Sequence, residues 1–155
     1  GRAAVSYTKN EVYFLKSNPS NNPTRERQER LIKMKGRKIY EFAIRNVPDA
    51  MKAALDNAGV DLSEVKKIFM HQANAKLDHA VGERLYKLYG LEVDLDSVMP
   101  MSIQWMGNSS VATVPTLFDM VRHEQYQGHE VVPGDIVLFA SVGAGMNINA
   151  FVYRV

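Results

Sequence analysis

Five consecutive apolar residues, Ile136-Val137-Leu138-Phe139-Ala140, follow a Pro133-Gly134-Asp135 turn and precede Gly143-Ala144-Gly145. A strand that is apolar on both faces cannot border water on either, so it belongs inside a sheet covered on both sides. The glycine stretch then reads as a tight turn, and Asn147 to Val155 as a last strand that pairs back. Cover for such a sheet has to come from helices, and three amphipathic stripes offer it. In the first, Ile39, Phe42, Ala43, Val47, Ala50, Met51, Ala54, Leu55 and Ala58 recur at three- and four-residue steps, with Gly59 as the stop. Pro48 falls inside this stripe and predicts a kink or a restart of the helix.

A second helix is expected over about Ala73 to Tyr89, burying Leu77, Ala80, Val81, Leu85 and Leu88 and closed by Gly90. The third follows Gly107-Asn108-Ser109-Ser110, with Val111, Val114, Leu117, Phe118 and Val121 facing inward and Pro115 near its start. Between them, Lys67-Ile68-Phe69-Met70-His71 reads as a buried strand ending in a histidine, and Val98 to Ile103 as another strand. Helix, strand, helix, strand, helix, strand, strand is the order of a layered α/β domain.

Residues 1–36 differ from the rest. A short apolar run, Val12 to Leu15, is followed by turn formers from Ser17 to Thr24 that predict an exposed loop. From Arg25 to Lys38 there are seven basic and two acidic residues. That stretch is either a solvated surface or a contact for an anionic partner. The first residue is Gly rather than Met, and the sequence is expected to be a piece of a longer polypeptide.

Composition excludes several classes. With 155 residues, 46% of them hydrophobic, the chain can bury a core without disulfides. It has no cysteine, which removes thiolate metal sites and any thiol nucleophile of its own. A net charge of +2 is too small a bias to argue for nucleic acid, and no apolar run approaches the roughly 20 residues of a membrane span.

In open α/β sheets ligands collect at the carboxyl ends of strands. Three polar or glycine-rich stretches are expected at such ends: His71-Gln72-Ala73-Asn74, Gly107-Asn108-Ser109-Ser110 and Ser141-Val142-Gly143-Ala144-Gly145. Singly, each has a plain structural role as a satisfied histidine, a helix cap and a hairpin turn. Together they would converge on one pocket. A serine hydrolase is disfavoured because Gly107 to Val111 lacks the closing glycine of a nucleophile elbow. Gly143-Ala144-Gly145 leads into a strand rather than a helix and is no dinucleotide fingerprint. His71 and His79 lack neighbouring carboxylates in a ligand pattern, and His123 and His129 read as surface residues, so no metal site is expected.

These three stretches, in this order and spacing, resemble the C-terminal half of thiolase-like condensing enzymes, and most of all the β-ketoacyl-acyl carrier protein synthase III family. The run Lys35-Gly36-Arg37-Lys38-Ile39-Tyr40-Glu41-Phe42-Ala43 is similar to the family's opening of that half, and the likeness extends over Ile32 to Val155; it implies a C-terminal condensing-enzyme domain over 32–155, with residues 1–31 an N-terminal segment and basic linker that the likeness does not reach. It implies one half of a five-layered αβαβα architecture, a mixed sheet with helices on both faces. It also implies a decarboxylating Claisen condensation of an acyl-CoA primer with malonyl-acyl carrier protein, initiating fatty-acid synthesis without a cofactor.

By the same resemblance His71 and Asn108 donate hydrogen bonds to the enolate oxygen, and the backbone N–H of Ala144 serves the tetrahedral intermediate. Asn74 holds the pantetheine arm, and Lys76 with Arg84 docks the carrier protein. The nucleophilic cysteine belongs to the family's other half, so the chain alone is expected to be inactive and, with apolar surface uncovered, to self-associate. A cytoplasmic homodimer is the implied state of the whole protein. Val142 stands where the family has an aromatic, and Met106 where an aromatic or His often precedes Gly-Asn; both bear on the acyl pocket. A condensing enzyme of polyketide or other acyl metabolism, and a non-catalytic binding or dimerisation module of the same fold, are the rival readings. Anion binding through Arg25 to Lys38 is a third.

Overall fold

The computed structural model describes residues 4–7, 15–19, 22–24, 30–143 and 146–155. In chain order these include β1 (Ala4–Tyr7), β2 (Leu15–Pro19), β3 (Arg30–Met34), α1 (Gly36–Ala58), β4 (Val65–Met70) and α2 (Ala75–Leu88). There follow two four-residue helices, α3 (Leu95–Val98) and α4 (Ile103–Met106), then α5 (Thr113–Arg122), β5 (Ile136–Gly143) and β6 (Asn147–Arg154). One sheet has the order β1-β6-β5-β4, with β4 and β5 parallel and the other pairs antiparallel; β2 and β3 form a separate antiparallel pair.

The apolar run Ile136–Ala140 lies in the inner strand β5. Successive side chains of a strand point to opposite faces. Ile136, Leu138 and Ala140 accordingly join Ile68, Met70, Ile148 and Ala150 under α1 and α2, whereas Val137 and Phe139 join Phe69 under α5. The result is a mixed sheet with helices on both faces. On the α5 side three rings interlock, with Phe69, Phe118 and Phe139 centroids 5.2 to 5.5 Å apart. Such pairs each contribute about 0.5–1.5 kcal/mol beyond area burial.

Helix α1 buries the predicted face, from Phe42 to Leu55, and stops at Gly59, whose φ of 64° is left-handed. It does not restart at Pro48. The proline lies inside 23 unbroken residues and is itself buried with Val47, Ala50 and Met51. Proline removes one N–H from the helix, but the apolar face continues on both sides of it. Packing of that face on the sheet keeps the helix continuous through the proline.

Other expectations are corrected. Ser17 to Pro19 do not lie in a loop: they belong to β2, paired with Arg30 to Ile32, with Pro19 as its last residue, an end position where proline is tolerated in a strand. The segment from Arg30 is thus a strand as far as Met34, while residues 12–14 lie outside the described residues. Leu88 is 40% exposed and Val111 90% exposed, so neither faces inward. Helix α5 begins at Thr113, after a 3-10 turn at Ser110–Ala112 that carries Val111 outward.

Val98 to Ile103 is not a strand. Backbone groups of residues 97–103 pair with side chains instead. Lys67 Nζ donates to the Ser97 carbonyl at 2.5 Å and Gln72 Nε2 to the Pro100 carbonyl at 2.9 Å. Gln72 Oε1 accepts from the N–H groups of Ser102 and Ile103, and the Tyr126 hydroxyl donates to the Met101 carbonyl at 2.6 Å. Buried backbone groups must find partners, and here three side chains replace a neighbouring strand. Among the described residues no helix is long and apolar enough to cross a membrane.

Where α2 crosses α3, Gly82 takes the place a side chain would occupy. A Cβ there would lie 2.6 Å from Met99 Sδ and 3.0 Å from a Leu95 methyl. Alanine ordinarily gains about 1 kcal/mol over glycine in a helix; here overpacking of about 1–3 kcal/mol outweighs it. Gly82→Ala is expected to lower the urea midpoint of the chain, and an unchanged or raised midpoint would show that the 95–99 segment gives way freely.

Candidate active site

Parallel pairing brings the ends of β4 and β5 to one edge of the sheet. Met70 lies opposite Ala140, and His71 continues the ladder, its N–H donating to the Ala140 carbonyl at 2.9 Å. His71 therefore stands beside Ser141 to Gly143. The third predicted stretch arrives from the other side. After α4, Gly107 adopts φ 66° and ψ −167°, a conformation open to glycine, and Asn108 follows. Its Oδ1 accepts from the Ser110 N–H at 2.9 Å, which occupies the acceptor of the amide and leaves the Nδ2 hydrogens as the donors it can offer elsewhere.

His71, Asn108 and Gly143 line a single cleft of about 640 Å³. All three stretches singled out in the sequence thus meet. Phe139 and Phe151, stacked at 4.8 Å, give it an apolar wall, and Val111 and Val114 lie on the α5 side. Ser141, Asn147 and Asn149 add polar groups along the β5–β6 hairpin. Asn147 and Asn149 were not anticipated. Their signal is the period-two alternation of the last strand, in which they are exposed while Ile148 and Ala150 are buried.

Burial pushes the His71 imidazole below the ordinary histidine range, opposed in part by a hydrogen bond between the ring and the Ser110 backbone. The ring is consequently neutral at neutral pH. Since Ser110 is also the residue that Asn108 grips, ring and amide are held at the same turn. A neutral imidazole and a carboxamide are two uncharged N–H donors, a pair suited to an oxygen that gains negative charge during reaction.

The remaining predicted residues stand differently. Ala144 lies outside the described residues. Asn74 caps α2, its Oδ1 accepting from Lys76 N at 2.9 Å and Leu77 N at 3.4 Å, and it does not line the cleft. Lys76 is exposed. Arg84, two turns further along α2, is half-buried with its Nε lacking a partner among the described residues. Val142 lines the cleft, but Met106 does not. His129 is no plain surface residue: it is half-buried, packed edge-on against Tyr126 at 5.0 Å. Among the described residues no group of three or more His, Asp or Glu is placed to hold a metal ion.

A model of the family described as 3-oxoacyl-(acyl-carrier-protein, ACP) synthase III C terminal matches residues 55–155. The chain belongs to that family. The β-ketoacyl-(acyl-carrier-protein) synthase III of Synechococcus elongatus is 31% identical over 123 residues, 79% of this chain and 33% of the relative. Synthase III 2 of Lactiplantibacillus plantarum is 34% identical over 120 residues, 77% of this chain and 33% of that one. The crystal structure of the Aquifex aeolicus 3-oxoacyl-(acyl-carrier-protein) synthase III superposes with a TM-score of 0.75 at 25% identity, covering 99% of this chain and 44% of that one. The fold is thiolase-like. The chain spans about a third of the length of the curated relatives it matches.

One buried acid lies behind the site. Asp78, in the first turn of α2, is 1% exposed. The backbone N–H groups of Asn74 and Ala73 favour its charged form, yet burial outweighs them and raises its pKa to about 7, and Oδ2 has no partner among the described residues. The unfolded chain releases this proton near pH 4 and the folded chain only near 7. Stability therefore falls as pH rises through that window, by an amount on the order of 4 kcal/mol, and is not regained above it. Asp78→Asn carries no such proton and is expected to gain on wild type in urea midpoint between pH 5 and pH 8; an equal difference at both would refute this account.

Proposed function

We propose that this chain supplies the oxyanion-stabilising side of a condensing site in a 3-oxoacyl-acyl carrier protein synthase III, which joins an acyl-CoA primer to malonyl-acyl carrier protein at the start of fatty-acid synthesis. The observation that carries the reading is that His71 and Asn108 line one cleft, the imidazole kept neutral by burial. The thioester oxygen of the malonyl group would take over the ring's hydrogen bond and accept a second from Asn108 Nδ2. As the bond to the carboxylate breaks and carbon dioxide leaves, its electron pair moves through the α-carbon to that oxygen. Two fixed donors are worth most at this moment, when the charge appears.

The resulting carbanion attacks an acyl group held as a thioester, and the thiolate departs as the tetrahedral intermediate collapses. In the proposal the backbone N–H of Ala144 faces the oxyanion of that intermediate. The thiol is not among these 155 residues; it belongs to polypeptide beyond them, and the chain alone is inactive. No cofactor takes part. Asn74 keeps its Nδ2 for the pantetheine arm while Oδ1 caps α2. Lys76 and Arg84, eight residues apart along α2, present positive charge to the acidic carrier protein. The working protein is a cytoplasmic homodimer.

In the protein that carries this chain, His71→Ala and Asn108→Ala are each expected to lower malonyl-carrier-protein decarboxylation by about 10²–10³-fold, while intact mass still records uptake of an acyl group from acyl-CoA. Decarboxylation at wild-type rates in both variants would remove the two-donor reading; loss of acyl uptake along with it would point to a folding defect.

A further inference from the structure

Gln72 adjoins His71 in the chain and is fully buried. Its amide grips residues 28 to 31 positions further on: Nε2 donates to the Pro100 carbonyl at 2.9 Å, and Oε1 accepts from Ser102 N at 2.8 Å and Ile103 N at 3.0 Å. Those two N–H groups open α4, whose own N-cap residue, Ser102, makes no side-chain cap bond. Gln72 thus caps α4 from another element. The helix is only four residues long and ends where Gly107 N–H donates to the Ile103 carbonyl. Asn108 comes next. Between the grip of Gln72 and Asn108 there is one stiff helical turn and one glycine.

We propose that Gln72 is a positioning residue, whose amide fixes where Asn108 stands relative to His71 and so sets the spacing of the two N–H donors; the inference rests on the site reading above. The requirement is specific to an amide. One side chain must donate to a carbonyl and accept from two N–H groups at once, and an amide does so at every pH. Leucine does neither. A glutamate accepts but cannot donate until it is protonated. The tyrosine grip on Met101 secures the same segment independently, so removal of the amide frees the α4 end without releasing the whole crossover.

The test uses Gln72→Leu and Gln72→Glu in the protein that carries this chain, beside His71→Ala and Asn108→Ala. Displacement of a catalytic group by about 1 Å costs on the order of 10²-fold. Gln72→Leu is expected to lower the decarboxylation kcat by about 10–100-fold, to hold KM within about threefold, to leave acyl uptake unchanged and to shift the Asn108 side-chain amide resonances. Gln72→Glu should lose rate at about pH 8 and regain it relative to wild type toward about pH 5.5, as its carboxyl gains the O–H that Pro100 requires. Wild-type kcat in both variants, or a Gln72→Glu profile parallel to wild type, overturns the proposal. If Gln72→Leu does not fold, the Gln72→Glu profile decides alone. If His71→Ala and Asn108→Ala leave decarboxylation intact, the site reading fails instead; unmoved Asn108 resonances in the folded Gln72 variants would then overturn the positioning role by itself.

Discussion

Parallel pairing of β4 with β5 is the constraint on which the rest depends. Two parallel neighbours end at the same edge of a sheet, so whatever follows each strand must emerge side by side. Here one end delivers His71 and the other Ser141 to Gly143. The chain between them has to leave that edge, cross the sheet and return to the start of β5. On the way it builds α2, the two short helices and α5, and it passes the same edge once more at Asn108. Three stretches far apart in sequence therefore meet because of one pairing choice, itself made inevitable by strands too apolar to face water.

The crossover is held by polar side chains rather than by another strand. Lys67, Gln72 and Tyr126 each take backbone groups of residues 97–103: the first from β4, the second from the loop after it and the third from the loop after α5. Lys67 is nearly buried, and burial pulls its pKa down from the usual lysine range; its ammonium nevertheless ends on a carbonyl, as a buried donor must. Such a strap needs no continuous apolar pattern. It also sets geometry more tightly than an exposed loop, because every bond in it is directional.

This division explains what the sequence made legible. The faces of α1, the double-sided β5 and the three stretches around His71, Asn108 and Gly143 follow from hydrophobic period and from glycine, both local signals. Val98 to Ile103 has the composition of a strand, but among the described residues it joins no ladder, and its partners come from Gln72 and Tyr126, some 25 to 31 residues away. No local reading reveals that. Val111 and Leu88 fit their stripes in spacing and fail because a 3-10 turn and a helix end rotate them outward. Asn74 shows a further limit: one side chain at a helix start has a structural duty that no motif distinguishes from a ligand contact.

The lining of the cleft has a consequence for which charges it can hold. None of its described side chains is an acid, a lysine or an arginine, and its one histidine is neutral. A carboxylate brought there exchanges its water shell for valine, phenylalanine and amide groups, without a counterion to offset the loss. Under the proposed reaction, departure as carbon dioxide lifts that burden, because the gas is uncharged and the remaining charge moves to the oxygen that His71 and Asn108 face. An inhospitable wall and a hospitable corner in one cleft would thus favour bond breaking together, the first by what it lacks.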